Sequence, residues 1–190
     1  MDSMLEVRWH GRGGQGAVTA AKVLAESVSS DGKYIQAFPE YGPERMGAPV
    51  QAFTRISDDP IEIHCQVTDP SVVVVLDATL LKRVDVLAGL PNDGTLIVNT
   101  KDTPAAIRER LKAEGRKIYT VDATGISLKC LGRNIPNTPM IGALLKVTRM
   151  TKLETVVEDF KKKYARKFRP EIIEGNVKAI EEAYQEVKSE

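Results

Sequence analysis

A glycine-rich segment near the start of the chain has the composition of an anion-binding loop. Gly11, Gly13 and Gly16 fit the pattern G-x-G-x-x-G between a predicted strand and a predicted helix. Glycine lets the backbone approach a ligand closely, and the N–H groups that begin a helix favour negative charge. Arg12 can add several donors to a phosphate. The candidate binding residues are Gly11, Arg12, Gly13, Gly14, Gln15 and Gly16. A tight turn without a ligand is the alternative interpretation.

A second loop, rich in proline and glycine, follows the next predicted strand. It spans residues 38–50 and includes Glu44 and Arg45. Loops at the carboxyl ends of strands in a parallel α/β fold share one crevice, where ligands bind. The second loop is therefore expected to face the glycine loop. The alternative is a rigid turn whose charged side chains are only solvated.

The same glycine pattern occurs in nicotinamide-dependent enzymes, but its usual acidic partner is missing here. Binding of NAD needs an acidic residue at the end of the second strand to hold the ribose. That strand ends at Phe38, and the nearest acid is Glu40, beyond Pro39. A different phosphate-bearing ligand is favoured over NAD.

The hydrophobic pattern predicts the elements that position these loops. The predicted strands are Leu5–Trp9, Tyr34–Phe38, Val72–Leu76, Thr95–Asn99 and Lys117–Val121, with an antiparallel hairpin of Val50–Ile56 and Ile61–Val67. The predicted helices are Ala17–Ser29, Thr103–Glu114, Thr138–Met150, Leu153–Phe168 and Glu171–Lys188. This order predicts one α/β domain over residues 1–190, with a three-layer, mostly parallel sheet, an inserted β-hairpin and a helical C-terminus.

Composition narrows the class of protein. The 190 residues carry a formal net charge of +1, which gives no long-range attraction to nucleic acid or to an anionic membrane. No apolar run approaches the ~20 residues of a membrane span, and the N-terminus does not resemble a secretory signal. Cys65 and Cys130 are too few for a disulfide framework or an iron–sulfur cluster. We expect a cytoplasmic protein that binds no metal.

Several other polar residues have structural interpretations. His10 and His64 have no neighbours arranged as a catalytic triad or metal site. Asp77 could cap the following helix or face the crevice. Asn137 is typical of a turn. The basic residues between 161 and 169 are interpreted as a solvated helix end, with docking of an acidic partner as the alternative.

Two motifs carry a family resemblance. Trp9–Gly16 reads WHGRGGQG, and Phe38–Arg45 reads FPEYGPER. Together they resemble the gamma subunit, or domain III, of the pyruvate:ferredoxin oxidoreductase family. The segments at 72–81 and 134–142 resemble further parts of that family, so the resemblance covers about residues 4–145.

The resemblance implies a subunit of an enzyme that converts a 2-oxoacid and coenzyme A (CoA) to acyl-CoA, carbon dioxide and reduced ferredoxin. It implies alpha, beta and delta partner subunits, which hold thiamine diphosphate and iron–sulfur clusters, and ferredoxin as acceptor. This chain would bind no cofactor tightly and supply no catalytic residue. It would contribute CoA-binding residues, namely the glycine loop with Tyr41, Gly42, Glu44, Arg45 and Asn137.

The motifs favour pyruvate as the substrate. The 2-oxoglutarate, 2-oxoisovalerate and indolepyruvate enzymes remain alternatives, as do a stand-alone NAD-dependent oxidoreductase and a non-enzymatic nucleotide-binding adaptor.

Overall fold

The computed structural model describes residues 4–29, 32–40 and 46–190. The strands are β1 Leu5–Arg12, β2 Tyr34–Pro39, β3 Pro49–Ser57, β4 Val72–Val75, β5 Thr95–Asn99, β6 Lys117–Val121 and β7 Lys188–Ser189. The α-helices are α1 Ala17–Ser29, α2 Pro104–Leu111, α3 Ala123–Leu131, α4 Asn137–Thr148, α5 Leu153–Tyr164 and α6 Pro170–Glu186, and a 3₁₀ helix spans Ala78–Lys82.

The strands form one sheet in the order β2-β3-β1-β4-β5-β6-β7. Strands β1, β4, β5 and β6 are parallel neighbours, whereas β3 runs antiparallel to both β1 and β2. The mostly parallel α/β fold predicted from the sequence is confirmed.

The valine run of β4 shows why the sheet has three layers. Val72 and Val74 belong to the core shared with α1 and the C-terminal helices, whereas Val73 and Val75 belong to a second core beneath the 3₁₀ helix and α2. Alternate side chains of a strand point to opposite faces, so a continuous apolar run requires cover on both sides. The predicted packing of the C-terminal helices on one face is confirmed.

The predicted hairpin is wrong in its second strand. Residues 61–67 form no strand, and β3 pairs with β1 and β2 instead. Both edges of β3 are thereby occupied, which leaves no row of hydrogen-bonding groups for a further strand. Side chains supply some of the hydrogen bonds that residues 61–67 would otherwise make in a sheet, since Arg55 and Gln36 both donate to the carbonyl oxygen of Ile63.

Helix α2 ends earlier than predicted. Thr103 caps it through a hydrogen bond from the N–H of Ala106. The helix ends at Lys112, at a positive φ of 50°, and does not continue to Glu114. The turn at Lys112 lets Ala113 enter the second core, where it is fully buried. The predicted ends of α4, α5 and α6 also lie a few residues beyond the observed ones.

Helix α3 and strand β7 were not predicted. Asp122 caps α3 through a hydrogen bond from the N–H of Gly125, and Gly132 ends it at a φ of 65°. Those two residues are ordinary helix-boundary signals. The segment between them contains poor helix formers, among them Gly125, so its sequence lacks a clear helical pattern.

Candidate active-site cleft of the glycine loop

The glycine loop lies at the carboxyl edge of the sheet, between β1 and α1. Gly14 and Gly16 have φ angles of 96° and 82°, which residues with a Cβ adopt only with strain. A Cβ placed on Gly14 would meet no atom within 4 Å, so the space above this part of the loop is open. Helix α1 begins directly afterwards, and its first N–H groups face the loop.

Arg12 holds the loop to its surroundings. Its Nε donates to Asp77 Oδ2 at 3.0 Å, and its two Nη atoms donate to the carbonyl of Gly47 and the hydroxyl of Thr79 at 3.0 and 2.8 Å. A guanidinium has five N–H donors, so these three bonds leave two for a ligand. Arg12 therefore acts as an anchor and also retains some capacity to bind an anion.

Asp77 is the centre of this network. Besides Arg12, it accepts bonds from Gln15 Nε2 at 2.9 Å and from the N–H and hydroxyl of Thr79. Desolvation acts to raise the pKa of Asp77, but the hydrogen bonds from Thr79 and Gln15 and the charge of Arg12 outweigh it, so the pKa is lowered. Asp77 is thus an ionised structural group. It caps the 3₁₀ helix, which is one of the two interpretations given above, and it binds the glycine loop through Arg12 and Gln15.

Gln15 closes the loop on itself. Its Oε1 accepts a bond from the backbone N–H of Arg12 at 2.8 Å, and its Nε2 reaches Asp77. One side chain therefore ties the start of the loop to the end of β4, which is the neighbouring parallel strand.

Asn137 begins α4 and packs directly on Gly16. A Cβ added to Gly16 would lie only 2.7 Å from Asn137 Nδ2. Asn137 is buried, and its Oδ1 accepts a bond from the N–H of Thr138. Asn137 therefore supports the loop from beneath. The sequence pattern around Asn137 indicated only a turn and gave no sign of this contact.

The second loop meets the glycine loop, as predicted, along its described residues. The N–H of Gly13 donates to the carbonyl of Ala48, and the N–H of Gly47 donates to the carbonyl of Gly13. Met46 stands beside this contact and is 95% exposed. The candidate residues Tyr41, Gly42, Glu44 and Arg45 lie outside the described residues.

These elements border an open cleft of about 450 Å³. It is lined by the residues Arg12, Gly13, Gly14, Gly16, Ala17, Val18, Thr19, Met46 and Val50. The cleft combines backbone from a glycine loop, the first turn of a helix and one arginine, a combination suited to a phosphate group.

The motif residues that precede the loop are structural. Trp9 is fully buried, and its Nε1 donates to Thr54, whose hydroxyl reaches the carbonyl of Ala21 in α1. His10 accepts a bond from Arg8 Nε, and desolvation, followed by the charge of Arg8, lowers its pKa to about 4. His10 is therefore neutral at physiological pH, is buried and does not line the cleft.

The sheet order separates this fold from a dinucleotide-binding fold. In the latter, the second strand lies parallel and adjacent to the first, so its acidic residue reaches the ribose. Here β3 lies between β1 and β2. The end of β2 is thereby moved two strand positions from the glycine loop.

The described residues show neither a metal site nor a membrane-spanning helix. Among residues 4–29, 32–40 and 46–190, no group of three or more His, Cys, Asp or Glu side chains is placed to hold a metal ion. Over the same ranges, no helix is long and apolar enough to cross a membrane. Cys65 and Cys130 are not paired.

Comparison with known proteins identifies the family. The model of the family described as pyruvate ferredoxin/flavodoxin oxidoreductase matches residues 6–186. This chain belongs to that family. The match extends over both candidate loops and all six α-helices described above.

Curated relatives cover nearly the whole chain. The pyruvate/ketoisovalerate oxidoreductases common subunit gamma of Thermococcus kodakarensis is 52% identical over 95% of this chain and 96% of its own length. The pyruvate synthase subunit PorC of Thermotoga maritima is 48% identical over 96% of this chain and 94% of its own.

Solved structures agree with these relatives. The pyruvate oxidoreductase subunit PORC of Thermotoga maritima has a TM-score of 0.87 and 45% identity, covering 98% of both chains. The 2-oxoglutarate:ferredoxin oxidoreductase of Magnetococcus marinus has a TM-score of 0.78 at 17% identity, which shows a shared fold only. This chain covers 31% of that larger protein.

The family resemblance found in the sequence is therefore confirmed, as is the predicted class of function, a gamma-type subunit of a ferredoxin-dependent oxidoreductase. The individual binding residues, the single-domain organisation and the cytoplasmic location remain predictions.

Proposed function

We propose that this chain is the gamma subunit of a pyruvate:ferredoxin oxidoreductase and that its glycine-loop cleft binds the phosphates of CoA. Family membership and near full-length relatives named for the pyruvate enzyme support the first part. The cleft beside Arg12 supports the second, because CoA carries several phosphate charges.

The proposed contacts come from two sources. The backbone around Gly13 and Gly14, with the first turn of α1, would surround a phosphate oxygen. The two N–H groups of Arg12 left by its present bonds would add charge-assisted donors. Tyr41, Gly42, Glu44 and Arg45 remain proposed members of the same site. Asn137 would act indirectly, through its packing on Gly16.

The chain would position CoA and would not take part in acid–base chemistry. Among the described residues, the carboxylate that pairs with Arg12 is that of Asp77, whose oxygens accept four hydrogen bonds and whose pKa is lowered. A carboxylate held in this way is a poor proton acceptor at neutral pH. Binding CoA in one orientation and excluding water would increase the rate in the assembled enzyme.

The remaining chemistry would belong to partner subunits. Thiamine diphosphate and iron–sulfur clusters are proposed to reside on alpha, beta and delta subunits, because two unpaired cysteines cannot supply the four thiolates that a cluster usually needs. Ferredoxin would accept electrons from the complex.

The test is CoA dependence of the assembled enzyme. The tagged chain, as wild type or Arg12→Ala, would be purified anaerobically with its partners, and pyruvate-dependent reduction of a viologen dye would be followed. Loss of a charge-assisted hydrogen bond costs about 1.5–3 kcal/mol, so we expect the KM for CoA to rise about 10- to 100-fold with the KM for pyruvate unchanged.

Arg110→Ala is the matched control. Arg110 lies on α2 and pairs with Asp102 at 2.7 Å. Helix α2 covers the second core, away from the cleft. Its replacement should leave both constants unchanged. An Arg12→Ala complex that assembles fully and keeps the wild-type KM for CoA would contradict the proposed site.

A second candidate is a subunit shared by two enzymes. Relatives with 50–52% identity are named as common to pyruvate and ketoisovalerate oxidoreductases. We propose that this chain is likewise shared by two enzymes. Two sets of partner subunits should then co-purify with it, and the preparation should oxidise both 2-oxoacids. One set of partners and one substrate would restrict it to a single enzyme.

A further inference from the structure

The end of α5 and the turn that leads to α6 concentrate the positive charge of the chain. Residues 161–169 contain six of the 27 basic residues and no acidic residue, so the other 21 basic residues are opposed by 26 acidic ones. The body of the protein therefore carries a net charge of −5, against +6 on this segment. Such asymmetry is invisible in the overall net charge of +1.

Only part of this charge is neutralised. Lys162 pairs with Glu158 at 4.0 Å, and Lys163 pairs with Glu26. The other four basic side chains, Lys161, Arg166, Lys167 and Arg169, are exposed and have no carboxylate within 4 Å among the described residues. We call the last three, which lie between α5 and α6, the basic rim.

An apolar groove lies beside the basic rim. The ring of Tyr164 contacts that of Phe160 in a tilted arrangement and stacks on that of Phe168, with centroid separations of 4.6 and 5.3 Å. Together with Leu131 and Ile172 they line a cavity of about 220 Å³, which we call the aromatic groove. Arg133 adds a further positive charge to its lining.

Large apolar side chains remain exposed around the aromatic groove. Phe168 is 47% exposed and Ile172 is 40% exposed. Leu128, one helical turn before Leu131 on α3, is 51% exposed. An apolar centre with a charged margin is the usual composition of a protein–protein interface.

We propose that the aromatic groove and basic rim form a docking site for another subunit of the enzyme, which presents an acidic segment with at least one large apolar side chain. The apolar side chain would enter the aromatic groove, and its acidic neighbours would pair with the basic rim. This inference rests on the proposed subunit role, but it concerns assembly and not the CoA cleft.

The charge distribution favours a different chain over a second copy of this one. A symmetric contact between two copies of the patch would bring one basic rim against the other. An acidic partner gains attraction at every one of these positions and is also guided to the site during association.

The experiment measures association of the full-length chain with the remaining subunits, isolated together without it. The variants are Arg166→Glu/Lys167→Glu, which reverses the basic rim, and Phe168→Ser, which removes the apolar centre. Lys82→Glu/Arg83→Glu is the matched control, because this adjacent, exposed pair lies at the end of the 3₁₀ helix that covers the second core. Thermal unfolding of each variant establishes that it folds.

The rim reversal should weaken binding about 10- to 100-fold at about 50 mM salt, and this difference should largely disappear at about 500 mM salt. Phe168→Ser should weaken binding about tenfold at both salt concentrations, because burial of apolar surface is not screened. The control pair should bind like the wild type.

Three results would overturn the proposal. Folded variants could associate like the wild type, or they could lose affinity no more than the control pair does. Alternatively, variants could assemble normally but raise the KM for CoA, which would assign the groove to a small molecule. An Arg12→Ala complex that assembles normally would leave this inference intact whatever its CoA dependence, so the two proposals fail separately.

Discussion

Gly16 leaves no space for a side chain, and its replacement gives the sharpest test of the site geometry. In Gly16→Ala, the new Cβ would lie 2.7 Å from Asn137 Nδ2 and 3.0 Å from its Cβ and Cγ. The residue also holds a φ of 82°, which an alanine adopts only with strain.

The two costs can be separated by a neighbouring glycine. Gly14 has a φ of 96° but would bring its Cβ within 4 Å of no atom, so Gly14→Ala incurs only the backbone cost of about 1–2 kcal/mol. Gly16→Ala incurs a similar cost together with about 1–3 kcal/mol of overpacking, or about 2–5 kcal/mol in total. The difference between the two variants measures the contact with Asn137.

Urea unfolding of the full-length chain, followed by circular dichroism, gives the free energy of unfolding of each variant. Asn137→Ala removes the Nδ2 and Cγ atoms from the contact. The double variant Gly16→Ala/Asn137→Ala should therefore be more stable, by about 1–2 kcal/mol, than the sum of the two single effects predicts.

Two outcomes would refute this reasoning. Equal losses in Gly14→Ala and Gly16→Ala would mean that Asn137 does not restrict Gly16. Single effects that add to within about 0.5 kcal/mol in the double variant would mean that the two residues are not coupled.

Three further predictions follow from other contacts. Asp77 has a lowered pKa in the folded chain, so its stabilising effect is present above its unfolded pKa and is lost as pH falls through the folded pKa. In Asp77→Asn, the free energy of unfolding should therefore fall less steeply below about pH 5 than in the wild type, as measured by urea unfolding at a series of pH values. Deletion of residues 188–190 removes β7 from the edge of β6, so hydrogen exchange in β6 should accelerate while global stability changes little, and unchanged exchange would argue against the observed pairing. Gly142→Ala would place a Cβ 2.0 Å from the carbonyl oxygen of Ile180, so it should destabilise the α4–α6 contact by about 3 kcal/mol or more, and a fully stable variant would contradict the packing.

Local sequence signals predicted most of the regular elements. The bounds of α1, β5 and β6 agree with the apolar spacing and turn residues of the chain. Such signals depend on neighbours within a few positions, where the backbone period determines which side chains share a face.

Strand partners could not be predicted in the same way. The alternation of β3 and that of residues 61–67 look equally strand-like, yet only β3 enters the sheet. The choice depends on which edge is free and which face can be buried, and both are properties of the assembled sheet.

Glycine spacing and apolar periodicity were enough to predict that a glycine loop joins a buried strand to an amphipathic helix, because both are local constraints on the backbone. The contacts that hold this loop depend on the folded chain, since Asp77 reaches Arg12 across 65 positions and Asn137 packs on Gly16 from a distant helix. These contacts exist because parallel strands bring their carboxyl ends to one edge, so residues far apart in the chain become neighbours only when the sheet forms.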